Sequence, residues 1–271
     1  MARVIVITSG KGGVGKTTTT SNIGMALARL GYRTLLIDAD VGLRNLDLLL
    51  GLENRIIYTG LDVIQEKCRL EQAIIQDKRQ TKLSFFPLSS IQNKATITKS
   101  QVKDLLDKLK NNYDFLLIDS PAGIEGGFQT AIEAANEAIV IVTPEVPSIR
   151  DADRVVGLLS AKNILDIRLI INRIRPRMVK TEDMMSVDDV TNILGIPLLG
   201  IIPESEEIII SSNRGEPLIL DDKPSLPSTA FDNLTRRLLG EDLELVDLNK
   251  QTYKNPVKRI LRNLLFQNGN Q

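Results

Sequence analysis

The stretch that most constrains this chain is Val4 to Thr17, VIVITSGKGGVGKT. Val4 to Ile7 is a run of apolar β-branched residues, the pattern of a strand buried on both faces. Gly10 and Gly15 bracket a loop ending in Lys16-Thr17, which matches the phosphate-binding pattern G-x-x-x-x-G-K-[ST]. The chemistry explains the spacing. Gly10, Gly12, Gly13 and Gly15 let consecutive backbone N–H groups turn inward around a phosphate, where a Cβ would obstruct the approach. Val14 belongs to the same cradle, and Thr18 opens the helix behind it. Lys16 is placed to reach the β- and γ-phosphates, and the Thr17 hydroxyl to ligate Mg²⁺. The following helix points its positive N-terminus at the anion. A strand, this loop and a helix in that order make a nucleotide site.

Lys11 sits inside the loop, giving GKGGVGKT two lysines where an ordinary phosphate loop needs one. A lysine there does not fold easily onto phosphates that its own loop encloses. A solvated surface charge is the plain alternative. With this second lysine the loop resembles the deviant Walker A, or MinD/ParA, family of dimeric ATPases. The resemblance implies a homodimer with two ATP molecules at the interface, where Lys11 crosses to the partner's nucleotide. It thereby implies ATP and Mg²⁺ as cofactors and ATP hydrolysis as the reaction.

Composition narrows the chemistry further. The 271 residues are enough for one large α/β domain. There is no His and one Cys, so Ser-His or Cys-His catalysis and any His- or Cys-rich metal cluster within one chain are excluded. Reactions must run on carboxylates, Lys, Arg, hydroxyls, backbone and a hard cation such as Mg²⁺. Cys68 alone forms no internal disulfide, which fits a reducing compartment. Charge balances at 34 basic against 34 acidic residues, so no global field favours nucleic acid, and no specific nucleic-acid partner is expected. No apolar run approaches the length of a membrane span. The first strand is expected to begin almost at Met1, and no targeting peptide is expected before it.

A helix is expected over about Thr17 to Leu30, stopped by Gly31, and a second strand over Arg33 to Asp38. Asp38 and Asp40 then lie at the C-terminal end of a parallel strand, where open α/β sheets bind ligands. Asp38 is a candidate metal carboxylate, and Asp40 a candidate for orienting the attacking water. A turn aspartate capping the next helix is the competing role for each. Gly42 to Asp47, GLRNLD, resembles the corresponding segment of MinD-type family members. Between residues 51 and 100 only minor strands at Ile74-Ile75 and Leu83 to Phe86 are suggested. Thr98-x-x-Gln101 then forms a capping box opening a helix, with Val102, Leu105, Leu106 and Leu109 on its inner face.

Phe115 to Asp119, FLLID, is an apolar strand ending in a carboxylate, the Walker B arrangement, with Asp119 on Mg²⁺ directly or through water. Asp119 to Gly123, DSPAG, resembles the family's switch II, and Gly123, Gly126 and Gly127 would let it move with phosphate occupancy. After a strand over Ala138 to Val142, Ser148 is expected to cap a helix with Ile149, Ala152, Val155, Val156 and Leu159 inward. Its outer face carries Arg150, Asp151, Asp153 and Arg154. A solvated face accounts for these charges. The family resemblance instead makes the four candidates for partner binding. A strand over Arg168 to Asn172 ends in an amide that resembles the family's adenine contact, followed by Arg173. Leu198 to Pro203 is the last strand, and Pro203-Glu204 resembles the segment flanking the base. Repeated β-α units imply an α/β fold: a single-domain P-loop NTPase with a mostly parallel sheet and helices on both faces.

The organisation expected is an ATPase domain over 1–240, a flexible acidic linker over 241–255 and an amphipathic tail over 256–271. Asn255-Pro256 suits a helix start, and Val257, Ile260, Leu261, Leu264 and Leu265 share one narrow apolar face. Lys258, Arg259 and Arg262 occupy the other side, and no acidic residue occurs from Tyr253 onward. A helix docked on the domain or an apolar dimer contact accounts for the stripe, but not for the unbalanced basic charge. An anionic membrane surface accounts for both. The tail also resembles the membrane-targeting sequence of MinD-type members. That resemblance implies spatial regulation of the division site with a MinC-like inhibitor and a MinE-like activator. It places the chain on the cytoplasmic face of a bacterial inner membrane, or in the chloroplast stroma at the inner envelope if plastid-encoded. A DNA-partitioning ATPase of the ParA type and a flagellar-number regulator are the alternatives within the family.

Overall fold

Five consecutive apolar residues bury both faces of a strand only if both faces are covered, and this requirement shapes the whole molecule. The computed structural model describes residues 2–40, 44–88 and 97–248. Its strands are β1 (Arg3–Thr8), β2 (Thr34–Asp38), β3 (Ile75–Gln76), β4 (Leu83–Pro87), β5 (Phe115–Asp119), β6 (Glu137–Val142), β7 (Asp166–Ile174) and β8 (Leu198–Pro203). They form one sheet in the order β3-β4-β2-β5-β1-β6-β7-β8, parallel except for the β3–β4 pair. The first helices are α1 (Lys16–Arg29), α2 (Leu46–Leu50), α3 (Gly60–Ile64), α4 (Lys99–Leu109) and α5 (Gly126–Ala131). They are followed by α6 (Val146–Ala161), α7 (Pro176–Lys180), α8 (Val187–Leu194), α9 (Glu206–Asn213) and α10 (Leu226–Leu238).

Alternation along the strands splits the core in two. Val4, Val6, Leu116, Ile118 and Val140 face one way, with α4, α5, α6 and α8 closing over them. Ile5, Ile7, Leu36, Leu117 and Ile139 face the other way, beneath α1, α2 and α10. The inner strands are buried on both faces, so the expected single α/β domain with helices on both sides of a mostly parallel sheet is the fold observed. Register puts the functional ends together. Ile7 and Asp38 both pair with Asp119, so the C-terminal ends of β1, β2 and β5 finish at one level. β1 lies between β5 and β6, and the crevice above it is where open α/β sheets bind ligands.

Several local expectations are met. α1 ends at Arg29, and Gly31 takes φ +96°, the left-handed stop that glycine favours. The Thr98–Gln101 capping box opens α4, whose Val102, Leu105, Leu106 and Leu109 are buried. Others are corrected. Ser148 does not cap α6: the helix begins at Val146, and Pro147 occupies its first turn, where proline is pre-set. The Ser148 hydroxyl instead accepts the Thr143 N–H at 3.1 Å. Gly126 and Gly127 are not a free loop but the first turn of α5, where a Cβ on Gly127 would come within 2.7 Å of Pro121. β7 does not stop at Asn172 but continues through an irregularity to Ile174. Leu83–Pro87 is no minor strand, since it pairs along the full length of β2.

The first residues expected in the acidic tether lie on the domain. Glu241 pairs with Arg236 at 2.9 Å, Arg237 donates to the Leu243 carbonyl, and Val246 and Leu248 pack on the core. The tail and its membrane candidates Val257, Lys258, Arg259, Ile260, Leu261, Arg262, Leu264 and Leu265 fall outside the described residues, as do Gly42 and Leu43 of the GLRNLD run.

Candidate functional site

The phosphate loop connects β1 to α1, and its conformation needs glycine at two points. Gly13 takes φ +75° and Gly15 φ +99°. Gly10 is required for a different reason: a Cβ there would lie 2.4 Å from the backbone carbon of Asp151, because α6 presses directly on the loop. Val14 is buried beneath the turn, and Gly12 faces Ala122 across ordinary van der Waals distance.

Lys16 and Lys11 part company. Lys16 turns inward, is 8 % exposed, and donates to the Ser9 hydroxyl at 2.9 Å. Burial holds its ammonium below the usual lysine range, against the opposing pull of Asp119 and Asp40. Lys11 turns outward and sits 3.4 Å from Glu145, with both side chains about half exposed. The structure thus keeps one lysine for the loop's own contents and holds the other at the rim.

Below Lys16 lies Asp119, at 3 % exposure. The Thr20 hydroxyl donates to its Oδ1 at 3.2 Å, and the Thr17 hydroxyl also bears on it. Burial pushes the Asp119 carboxyl up to about 6, and contacts with Thr17, Lys16 and Thr20 offset only part of that shift. A buried carboxylate with hydroxyls beside it and incomplete counter-charge fits a hard divalent cation that also takes phosphate oxygens and water. Thr17 and Asp119 are the residues that would hold Mg²⁺. Asp38 is close by, and its carboxylate also accepts backbone N–H groups. Oδ1 accepts the Asp40 N–H at 3.0 Å, and Oδ2 accepts the Leu46 N–H at 3.2 Å, at the start of α2. Burial and the neighbouring Asp119 raise its carboxyl well above the usual range. Asp38 thus ties the end of β2 to the start of α2, whose N-cap residue is Asn45, and its carboxylate keeps lone pairs for a cation. Asp40 is half-buried at the rim, close enough for its charge to act on Lys16.

Pro121 to Gly123 runs beside the loop, and the Gly123 N–H donates to the Ser9 carbonyl at 3.2 Å. On the far side of Gly15, Thr18, Asn172, Arg173, Pro203 and Glu204 line a cleft of about 120 Å³. Sequence reasoning missed its remaining walls, Ser205, Ile208, Ile209 and Phe231, because α9 with its N-cap and α10 bring them there and no motif marks them. Arg173 takes the left-handed φ of +59°, rare outside glycine. Glu204 accepts from Arg175, whose guanidinium holds the carboxyl below its usual range.

The candidate partner face lies next to Lys11. Arg150, Asp153 and Arg154 are exposed on α6, whereas Asp151 is half-buried where the helix meets Gly10. Between α6 and α8 a surface groove of about 520 Å³ is lined by Val146, Ile149, Arg150, Asp153, Met185 and Ile193. Val146 is 68 % and Ile193 56 % exposed, so this face offers apolar area as well as charge.

Among known proteins, the family profile described as the CobQ/CobB/MinD/ParA nucleotide binding domain matches residues 5–218. The chain is 68 % identical over 265 residues to a protein of Emiliania huxleyi that carries the name putative septum site-determining protein MinD, covering 98 % of this chain and 97 % of that one. The structure of the MinC:MinD cell division protein complex from Aquifex aeolicus superimposes with a TM-score of 0.84 at 50 % identity, over 90 % of this chain and 98 % of that chain. The septum site-determining protein MinD of Pyrococcus horikoshii, complexed with Mg-ADP, gives 0.79 at 30 % identity, over 88 % of this chain and 96 % of that chain. The chain belongs to the CobQ/CobB/MinD/ParA nucleotide-binding family, among its septum site-determining MinD members.

Proposed function

We propose that this chain is a Mg²⁺-dependent ATPase that dimerises on ATP, grips an anionic membrane through its C-terminal segment and helps to place the division septum. The division of labour between the two lysines carries the reading: Lys16 is buried in its own loop, and Lys11 stands at the rim on an exposed ion pair. An exposed pair of this kind contributes little, on the order of 0–1 kcal/mol, so Lys11 is cheaply released to a partner's triphosphate. That the Pyrococcus relative is complexed with Mg-ADP supports a nucleotide and Mg²⁺ as ligands of this chain. Backbone N–H groups of Gly10 to Lys16 cradle the phosphates, Lys16 neutralises the β- and γ-oxygens, and Thr17 with Asp119 holds Mg²⁺. Asp40 orients the attacking water, so that phosphoryl transfer proceeds by positioning and charge neutralisation. The cleft past Gly15 takes the base, against Arg173, Pro203 and Glu204.

The Aquifex complex supports a MinC-like inhibitor as partner. Arg150, Asp151, Asp153 and Arg154 on α6 are the proposed docking residues for that inhibitor and for a MinE-like activator. Among the described residues no helix is long and apolar enough to cross a membrane. Attachment is instead peripheral, through residues 256–271, at the cytoplasmic face of a bacterial inner membrane or the stromal side of a plastid envelope. Each basic residue near an anionic leaflet contributes about 1 kcal/mol. One tail binds marginally, while two tails on a dimer gain roughly 10²–10⁴ in avidity. Liposome co-sedimentation with ADP and with ATP tests the coupling: binding is expected with ATP, and equal binding in both nucleotides refutes it.

A further inference from the structure

One wall of the base-side cleft is α9, which supplies Ile208 and Ile209, with Ser205 as its N-cap. This helix is lightly held. Ser211 is its one buried residue, Ile209 and Ile210 are exposed, and Ile208 is half-buried against the core. Side-chain packing alone therefore fixes α9 along one narrow line. Its C-terminal turn is held by backbone instead. Gly215, at φ +66°, lies against Gly51, at φ +61°, where α2 ends. A Cβ on Gly215 would come within 2.9 Å of the Leu48 carbonyl oxygen and 3.0 Å of the Gly51 Cα.

Arg79 closes this contact from the loop between β3 and β4. Its Nη1 donates to the Gly215 carbonyl at 3.2 Å and its Nη2 to the Leu50 carbonyl at 2.6 Å. Nε and Nη2 also donate to the Asp77 carboxylate, at 3.1 and 2.6 Å. Asp77 is buried and fixed in turn, because its Oδ1 accepts the Arg79 and Gln80 N–H groups. The planar fork thus starts from a fixed carboxylate and ties the last turn of α2 to the turn after α9. It joins the two ends of the sheet, since the β3–β4 pair lies at one edge and α9 follows β8 at the other. Arg79 does not itself line the cleft, so its effect passes through α9. We propose that Arg79 is a positioning residue for the base-side cleft. By clamping α9 to α2 it keeps Ile208 and Ile209 in the cleft wall, and it governs the nucleoside's share of ATP affinity rather than the triphosphate's. This rests on the cleft taking the base.

The test uses the full chain with Arg79→Ala, and with Arg79→Lys as the milder change should the first not fold. A lysine can still meet Asp77, but its single nitrogen cannot span both carbonyls. Affinities for ATP and for inorganic triphosphate are measured with Mg²⁺ well below the melting temperature, and amide hydrogen exchange is followed in the ligand-free protein. The clamp requires ATP affinity to fall roughly tenfold in either variant, the low end for loss of an apolar contact in a pocket, with triphosphate affinity unchanged. It also requires exchange across α9 to rise several-fold while α10 is unchanged. A parallel loss of both affinities would place the effect on the phosphate loop or the whole fold, and overturns the proposal. A lowered melting temperature with an unchanged ATP-to-triphosphate ratio shows a brace of the fold alone, and overturns it too. Should the parent chain bind ATP no better than triphosphate, or bind neither, the base-cleft reading fails and exchange decides the clamp. Faster exchange over α9 upholds it, and unchanged exchange overturns it.

Discussion

Three loop glycines are expected to fail in three different ways when each is changed to alanine. At Gly10 the new methyl meets Asp151 backbone atoms at 2.4 and 2.5 Å, contacts that no side-chain rotation relieves, so α6 must move off the loop. Overpacking of this kind costs about 1–3 kcal/mol, and the backbone obstacle puts Gly10→Ala in the upper part, at roughly 2–3 kcal/mol. For a chain of this size that lowers the melting temperature by about 4–12 °C. Gly13 has open space around it but a φ of +75°, so Gly13→Ala meets only the left-handed strain of about 1–2 kcal/mol. Gly12 has neither constraint. Its methyl would sit 3.8 Å from Ala122, and Gly12→Ala should stay within about 0.5 kcal/mol of the parent without ligand. Thermal unfolding of the ligand-free proteins gives the order Gly10→Ala, then Gly13→Ala, then Gly12→Ala, from least stable upward. Titration with ATP then separates fold from function, since Gly12→Ala is expected to keep its stability and lose affinity. A Gly10→Ala protein as stable as the parent would refute the claim that α6 presses on the loop.

Further consequences concern charge. Lys11→Ala should change ligand-free stability by less than about 1 kcal/mol, because the Glu145 pair is exposed, yet abolish the ATP-dependent dimer in size-exclusion chromatography with light scattering. Asp119 titrates near 6 in the fold against about 3.9 unfolded. The native state holds that proton longer, so Asp119's share of the ligand-free stability falls as pH rises from about 4 to 6 and then levels, while Asp38, raised in the same direction, adds a further fall of its own. Asp119→Asn should remove that slope, worth on the order of 2–3 kcal/mol at pH 7, while losing Mg²⁺-dependent ATP binding; identical pH profiles for the two proteins would contradict the buried charge. Asp40→Ala should slow hydrolysis and still permit the ATP-held dimer, and a monomer in ATP would count against its proposed role. Deleting residues 256–271 should leave ATP turnover intact and remove liposome binding, as co-sedimentation will show.

What could be read from the chain was local chemistry on buried strands. β1, the loop and α1 were legible because a run of β-branched residues, four glycines and Lys16-Thr17 state their purpose within fourteen positions. The place of Asp119 beside the loop was legible because an apolar strand ending in a carboxylate, in a chain of β-α repeats, finishes at the same sheet end as β1. The capping box at Thr98 and the stripe of α4 were legible for the same reason: the pattern and its cause lie within one element. Relations between distant segments were not. β4 carries Ser84 and ends in Pro87, so nothing in its composition marks it as the inner neighbour of β2. Ser148 looks like a cap until Pro147 claims the first turn. Asp38 and Asp40 are indistinguishable as residues, and only the fold shows that the first of them accepts the Leu46 N–H at the start of α2, at 3.2 Å. Likewise Asn172 resembles a base contact in sequence, and its bond to Val14 spans 158 positions that no local pattern records.

Most depends on where Lys11 goes when ATP is bound. A crystal structure of the chain with Mg²⁺ and a non-hydrolysable ATP analogue measures this directly. The expected result is a dimer with each Lys11 Nζ within hydrogen-bonding distance of the partner subunit's triphosphate and away from its own Glu145. A dimer, or a monomer, in which Lys11 stays on Glu145 with the triphosphate bound would contradict it.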